Sequence, residues 1–303
     1  MFDWMNPLQH FQLDTALILT LLVVSVHLTF RVGIFSLAPL GFAAVGGYTA
    51  ALIATKTDQP FLVGMVAAPL LAGAIGALFA PPILRLRGIY MALGTLALSQ
   101  AILVLIRISD ATNGPNGIAG IPAKVDTEYL LAILLVTFVL LQLSHRSYFG
   151  RAAKAVRLDE RTAEGLGINL FRVRFASFTV AAAVAGLAGA LEAHRTTVIS
   201  PGQYGFGALI IVFTYVLLGG NGHWSGPILV TWGMTLLRDK LEFAGSNWEE
   251  IIYGALLVVI MLVAPNGLSD RSLYRKPRRW LRALRSRHRP DTAAPAATAE
   301  VGS

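Results

Sequence analysis

An all-α, polytopic membrane protein is the fold class that the sequence predicts, with about eight or nine transmembrane helices, some of them discontinuous. Three observations carry it. The 303 residues are 55% hydrophobic and only 14% charged, against the roughly 25% charge of an ordinary soluble domain. The apolar residues gather in runs close to the ~20 residues that a helix needs to cross a bilayer at ~1.5 Å rise per residue. The basic residues crowd into alternate loops between those runs, which is the usual asymmetry of membrane topology. Mean hydropathy is +0.62.

In chain order the apolar segments are 14–30, 33–54, 61–80, 89–107, 129–144, 173–193, 206–219, 226–240 and 250–264. The two that flank Gly219 are short and interrupted by glycine and proline, so one of them is either spanning or re-entrant. With the N-terminus outside, the inner side receives Arg31, Arg85, Arg87, the cluster from Arg146 to Arg174 and the cluster from Arg271 to Arg289. The outer side keeps only Lys56, Arg107, Lys124, Arg195, Arg238 and Lys240. The reverse orientation inverts that bias and is rejected; the C-terminus is then cytoplasmic. No basic residue precedes the first run, so it is read as a retained span and not a cleaved signal.

Four parts follow: a periplasmic segment 1–13, a transmembrane domain 14–268, a basic cytoplasmic tail 269–289 and a disordered C-terminus 290–303. Trp280, Leu281 and Leu284 stand at helical spacing among the tail's arginines. That suits a helix lying on anionic lipid rather than a nucleic-acid contact. The chain has no cysteine, which removes disulfides, thiol nucleophiles and thiolate metal sites. It also lacks HExxH, GxSxG and GxxxxGK[ST] patterns. No catalytic residue and no metal site are expected, and any ATP must be bound by another chain.

Small residues fill the spans, as in GFAAVGGYTAA (41–51), GAIGALFA (73–80) and AAAVAGLAGA (181–190), and predict close backbone packing. GGYTAALIA (46–54) and AGLAGALEA (185–193) echo one another. Pro39, Pro69 and Pro227 break or kink their helices. Near Ser36, Pro39 is read either as a plain kink or as part of a solute path. Polar groups within spans are scarce; they are His27, Gln100, Arg107, Glu192 and His194, and most of them lie near a membrane boundary. With no acidic group at the centre of a span, ion-driven transport is disfavoured. Gly219, Gly220, Gly222, Gly226 and Pro227 mark a helix break or a tight packing point.

GRAAKAVRLDERTAEGLGIN (150–169) interrupts the apolar chain. Ala152, Ala153, Val156, Ala163 and Leu166 give it an apolar side, and Gly165 and Gly167 end it. Acids interleave with bases, which fits a protein surface better than an anionic leaflet. A lipid-facing loop helix and a partner-docking helix both remain open on the residues alone.

With the following LFRVR this stretch resembles the cytoplasmic coupling loop of permease subunits in branched-chain amino acid ABC importers. GIFSLAPLGFAAVGGYTAAL (33–52), RGIYMALGTLALSQ (87–100), TNGPNGIAGIP (112–122), LLGGNGHWSGPILV (217–230) and IIYGALLVVIMLVAPNGL (251–268) are similar to the family's other segments, in the same order. The outer Gly-Pro-Asn-Gly loop points to the M-type subunit.

The resemblance implies a permease subunit that carries branched-chain amino acids, or related small polar or amphipathic solutes, across a bacterial inner membrane. Implied partners are a homologous H-type permease, two cytoplasmic ATPases that hold ATP and magnesium, and a periplasmic solute-binding protein. Implied ATPase contacts are Val156, Arg157, Leu158, Asp159, Glu160, Ala163, Glu164, Leu166 and Gly167. Path candidates are Ser36, Pro39, Tyr48, Thr95 and Gln100, and the outer loop presents Asn113, Pro115 and Asn116. Ile34, Ile210, Ile211 and Ala264 depart from the family pattern, which bears on the solute. The competing expectation is an ion-coupled secondary transporter or channel.

Overall fold

A computed structural model describes residues 7–57, 60–220 and 224–241. The expected span 250–264, the tail 269–289, the end 290–303, Gly222 and Ala264 lie outside the described residues. Ten α-helices appear: α1 (Pro7–Phe30), α2 (Pro39–Lys56), α3 (Phe61–Ile83), α4 (Ile89–Ile108), α5 (Thr127–Arg146), α6 (Tyr148–Leu158), α7 (Glu160–Gly165), α8 (Leu170–Thr196), α9 (Phe206–Gly219) and α10 (Ser225–Leu241). Residues 7–13, expected to precede the first span, are already helical.

Among the described residues, five helices are long and apolar enough to cross a bilayer: α1 from His10, α3, α4, α5 and α8. The reason α2 falls outside that group is its composition, PLGFAAVGGYTAALIATK. It spends its length on glycine and alanine because it is enclosed by other helices; residues 39–48 are all buried. Pro39 corrects one expectation. It occupies the first position of α2, where its missing N–H costs nothing and its φ suits a helix start. The helix therefore begins at Pro39 and is not kinked by it, and residues 33–38 form a non-helical lead-in. Pro69 does lie inside α3, as expected, and Pro81 and Pro82 occupy that helix's final turn.

The centre of the fold is α8, packed against α2 and α3, with α1 behind it. Here glycine is required by close approach. A Cβ on Gly46 would stand 2.0 Å from the Gly186 carbonyl oxygen, and one on Gly189 would stand 1.9 Å from that of Ala43. The two echoing segments of the sequence thus pack against each other, backbone to backbone. α3 adds the third side: a Cβ on Gly186 would meet Ala72 at 2.4 Å, and one on Gly76 would meet Ala182 at 2.5 Å. Without a hydrophobic drive between helices in lipid, such dispersion contact is what holds them. Phe42 and Phe178 cap the seam edge-on at 5.7 Å.

α9 and α10 form a hairpin against α1. Gly220, at φ 77°, makes the turn and donates to Val216 and Leu217; a Cβ on Gly219 would lie 2.2 Å from Pro227. Trp224 anchors the hairpin to α5 by donating to Gln142 at 3.2 Å and packing on Phe138. At 14 residues, α9 is roughly 21 Å long, short of a ~30 Å hydrocarbon core. Leu70 and Leu78 on α3 and Leu135, Leu140 and Leu143 on α5 point outward, as lipid-facing side chains do.

Loops on one side of the bundle are joined by a two-residue antiparallel pair, β1 (Ile118–Ala119) with β2 (Val198–Ile199). Gly117, at φ 75°, packs on the Ile199 carbonyl so tightly that a Cβ would sit 2.0 Å away.

Candidate functional site

The charged stretch is two helices, not one. α6 ends at Leu158, Asp159 turns to an extended φ/ψ of −158°/113°, and α7 starts at Glu160. Asp159 is the N-cap of α7: Oδ1 accepts from the Arg161 amide at 2.9 Å and the Thr162 amide at 3.2 Å, and Oδ2 from the Thr162 hydroxyl at 2.9 Å. Those Thr162 and Arg161 donors hold the carboxyl below the usual carboxylate range. Gly167, at φ 77°, closes α7. Ile168 N donates to Ala163 O and Gly167 N to Glu164 O, the Schellman pattern that only glycine enters without strain.

Burial divides the segment differently from the expectation. Ala152, Ala153, Val156 and Ala163 are buried, but Leu166 does not share their face. It is 72% exposed, and Leu158 is 77% exposed. The reason is the break at Asp159 and the turn at Gly167, which take both leucines off the helical register of the buried residues. Two apolar side chains therefore bracket α7 on a surface that also carries Asp159, Glu160, Arg161 and Glu164, all exposed.

This segment is tied down at both ends. Ser147 caps α6 and Asn169 caps α8. Arg31, at the end of α1, donates to the Gly150 carbonyl at 3.3 Å. Arg174 on α8 forms an ion pair with Glu160. At the opposite end of the bundle Asp14 joins three helices: it pairs with Arg195 of α8 and accepts from Thr127 of α5 at 2.7 Å. Arg195 also lies over the Phe11 ring at 5.1 Å.

The expected path residues divide. Ser36, Thr95 and Pro39 come together where α2 starts beside α4. Their hydroxyls serve the lead-in: Thr95 Oγ1 accepts from Leu37 N at 2.9 Å and donates to Ala92, and Ser36 Oγ accepts from Ala38 N at 3.3 Å. Gln100 is half-buried further along α4. Tyr48 is buried on α2, nine residues beyond Pro39. The outer-loop residues Asn113, Pro115 and Asn116 are exposed. Asn113 has φ 61° and ties the loop by donating to Gly117 O at 3.1 Å. Beside it, Arg107, Asp110 and Pro115 line an open hollow of about 440 Å³.

Near the end of α8, Glu192 has neighbours that its own helix does not foretell: it lies where α8 faces the Tyr204 and Tyr48 side chains. Tyr204 enters from the turn after α8, and its hydroxyl lies beside the Glu192 carboxyl. The Tyr204 hydroxyl also reaches to 2.9 Å from the point a Gly47 Cβ would occupy. Tyr204 is 2% and Tyr48 3% exposed. Hydropathy reads each residue within its own helix; it does not register a tyrosine arriving from the loop beyond it.

Residues 11–261 match the family described as branched-chain amino acid transport system / permease component. The chain is 31% identical over 285 residues to the high-affinity branched-chain amino acid transport system permease protein LivM of Escherichia coli (strain K12), covering 82% of this chain and 67% of that protein. It is 24% identical over 232 residues to the probable branched-chain amino acid transport permease protein LivM of Methanocaldococcus jannaschii, covering 68% and 67%. Identity is 31% over 167 residues to the permease protein LivH of Salmonella typhimurium, covering 54% and 52%. No solved structure matches the chain significantly.

Proposed function

The chain belongs to the branched-chain amino acid transport permease family, and from that premise we propose that it is the M-type subunit of an ATP-driven importer in a bacterial inner membrane. Its solutes are branched-chain amino acids or close relatives. It pairs with a second, H-type permease, receives solute from a periplasmic binding protein, and is driven by two cytoplasmic ATPases that bind the ATP and magnesium. Eight or nine spans cross the bilayer, with the N-terminus outside and the C-terminus inside.

The observation that carries this reading is the α6–α7 segment. Two exposed leucines at either end of a capped, one-and-a-half-turn helix, ringed by both signs of charge, suit a groove on a protein. A lipid surface would favour basic residues alone. The ties from Arg31 to Gly150 and from Arg174 to Glu160 let a push on α7 reach α1 and α8 without being lost in a loop. ATPase closure would then move the bundle as a rigid body between outward and inward states.

The test uses proteoliposomes of the complete transporter, with loaded binding protein outside and ATP inside. Leu166→Arg and Glu164→Arg should lower ATP-driven leucine uptake at least about tenfold while the permeases still insert and pair. Normal uptake in both variants refutes the docking role. Wild-type uptake that survives ATP removal but collapses with an ion gradient establishes the secondary-transporter reading instead.

A further inference from the structure

We propose that Glu192, with the hydroxyls of Tyr204 and Tyr48, is the point in the bundle that receives the ammonium group of the solute; this rests on the amino-acid-importer reading above.

The reasoning begins with an energetic anomaly. A carboxyl group inside a membrane bundle is expensive unless it is paired. Other acidic groups of the described helices are paired, capping or solvated: Asp14 has Arg195 and Thr127, Glu160 has Arg174, Asp159 caps a helix, and Glu164 is exposed. Glu192 has no cationic partner among the described residues. Its neighbours are the phenolic hydroxyls of Tyr204 and, next to that, Tyr48, and neither hydroxyl completes a hydrogen bond in good geometry among the described residues. Even with the Tyr204 hydroxyl directed at the carboxyl, a carboxyl and two hydroxyls together leave acceptor positions over. The chemical complement of such a cluster is a compact cation with three donors, which is what an ammonium group is.

The cluster is also placed for transit. Glu192 lies one turn beyond Gly189 on α8 and keeps some accessible surface although protein crowds it, so a small solute can touch it. Gly47 leaves the room that the Tyr204 hydroxyl occupies. Tyr48 feels the charge of Arg107, and Arg107 lines the outer hollow with Asp110. The charge of Arg107 therefore links the outer hollow electrostatically to the Tyr48, Tyr204 and Glu192 cluster. Recognition at this point would be of the shared ammonium group and not of any one side chain.

Proteoliposomes of the complete transporter test this with radiolabelled L-leucine. Glu192→Gln should lower maximal ATP-driven uptake by about 10- to 100-fold, the scale of a lost charge-assisted hydrogen bond. The concentration of loaded binding protein that half-saturates uptake should stay unchanged, because docking occurs elsewhere. Glu192→Asp should restore part of the rate. Tyr204→Phe and Tyr48→Phe keep the packing and should each lower uptake at least about threefold. Uptake within twofold of wild type in Glu192→Gln, or in both tyrosine variants, overturns the inference while leaving the importer reading intact. Absence of ATP-driven leucine uptake in the wild type overturns the importer reading itself. If an imposed proton gradient drives wild-type uptake without ATP, and Glu192→Gln abolishes that, the carboxyl carries protons and the ammonium role is refuted.

Discussion

Replacing Gly189 with alanine tests the packing that organises the bundle. The new carbon would lie 1.9 Å from the Ala43 carbonyl oxygen and 2.7 Å from its carbon. Ordinary contact begins near 3.4 Å, so α2 and α8 must separate by up to about 1.5 Å. The obstructing atoms are backbone, and no side chain can rotate away. Overpacking of this kind costs about 1–3 kcal/mol, and here the upper end applies. Alanine recovers up to about 1 kcal/mol of helix propensity over glycine. The net loss is then about 2 kcal/mol, close to a 30-fold shift in the folded-to-unfolded ratio. Gly207→Ala on α9 is the control, because a Cβ there meets nothing within 4 Å and only the propensity gain remains. Equilibrium unfolding of the full chain in mixed micelles reads both. The reasoning fails if Gly189→Ala unfolds within about 0.5 kcal/mol of Gly207→Ala.

Further predictions concern the two ends of the bundle. Asp14→Asn strands the partly buried Arg195 without its counter-charge and should destabilise by about 3 kcal/mol. A double-mutant cycle with Arg195→Gln should show coupling above about 1 kcal/mol, and additivity would contradict the pair. Asp159→Ala should speed amide exchange across residues 160–163 at neutral pH. In the wild type, the protection given by Asp159 is present above its ordinary value of 3.8, because the folded carboxyl titrates lower. It should fade only as pH falls through that depressed value; loss of protection already near pH 5 would argue against the cap. Gly219→Leu places a side chain where Pro227 stands 2.2 Å away and should abolish folded yield. Unchanged expression and uptake would mean the turn tolerates bulk.

Much of this architecture was readable from the residues. The runs behind α1, α3, α4, α5 and α8 exceed what a soluble core needs, and hydropathy alone finds them. The glycine clusters foretold backbone contact, although not that segments 46–54 and 185–193 would be each other's partners. Three misreadings have physical causes. Pro39 was read as a kink because a proline at a helix start and one in its interior look alike until the helix boundary is known. The charged stretch was read as one helix, although Asp159 followed three residues later by Thr162 carries a capping signal. Leu166 was assigned to the buried face by counting helical turns through that cap. The neighbours of Glu192 were not legible, because Tyr204 and Tyr48 lie outside its own helix.

The ties at Asp14 and Arg195 on one side, and at Arg31–Gly150 and Arg174–Glu160 on the other, have a mechanical outcome. α1 and α8 are laced together above and below, directly or through the short segment between them, so neither can slide along its axis past its neighbour. What such a strut can still do is tilt. A force of a few ångströms' travel delivered at one extremity therefore emerges at the far rim as a swing in the opposite direction, with the glycine seam serving as the fulcrum.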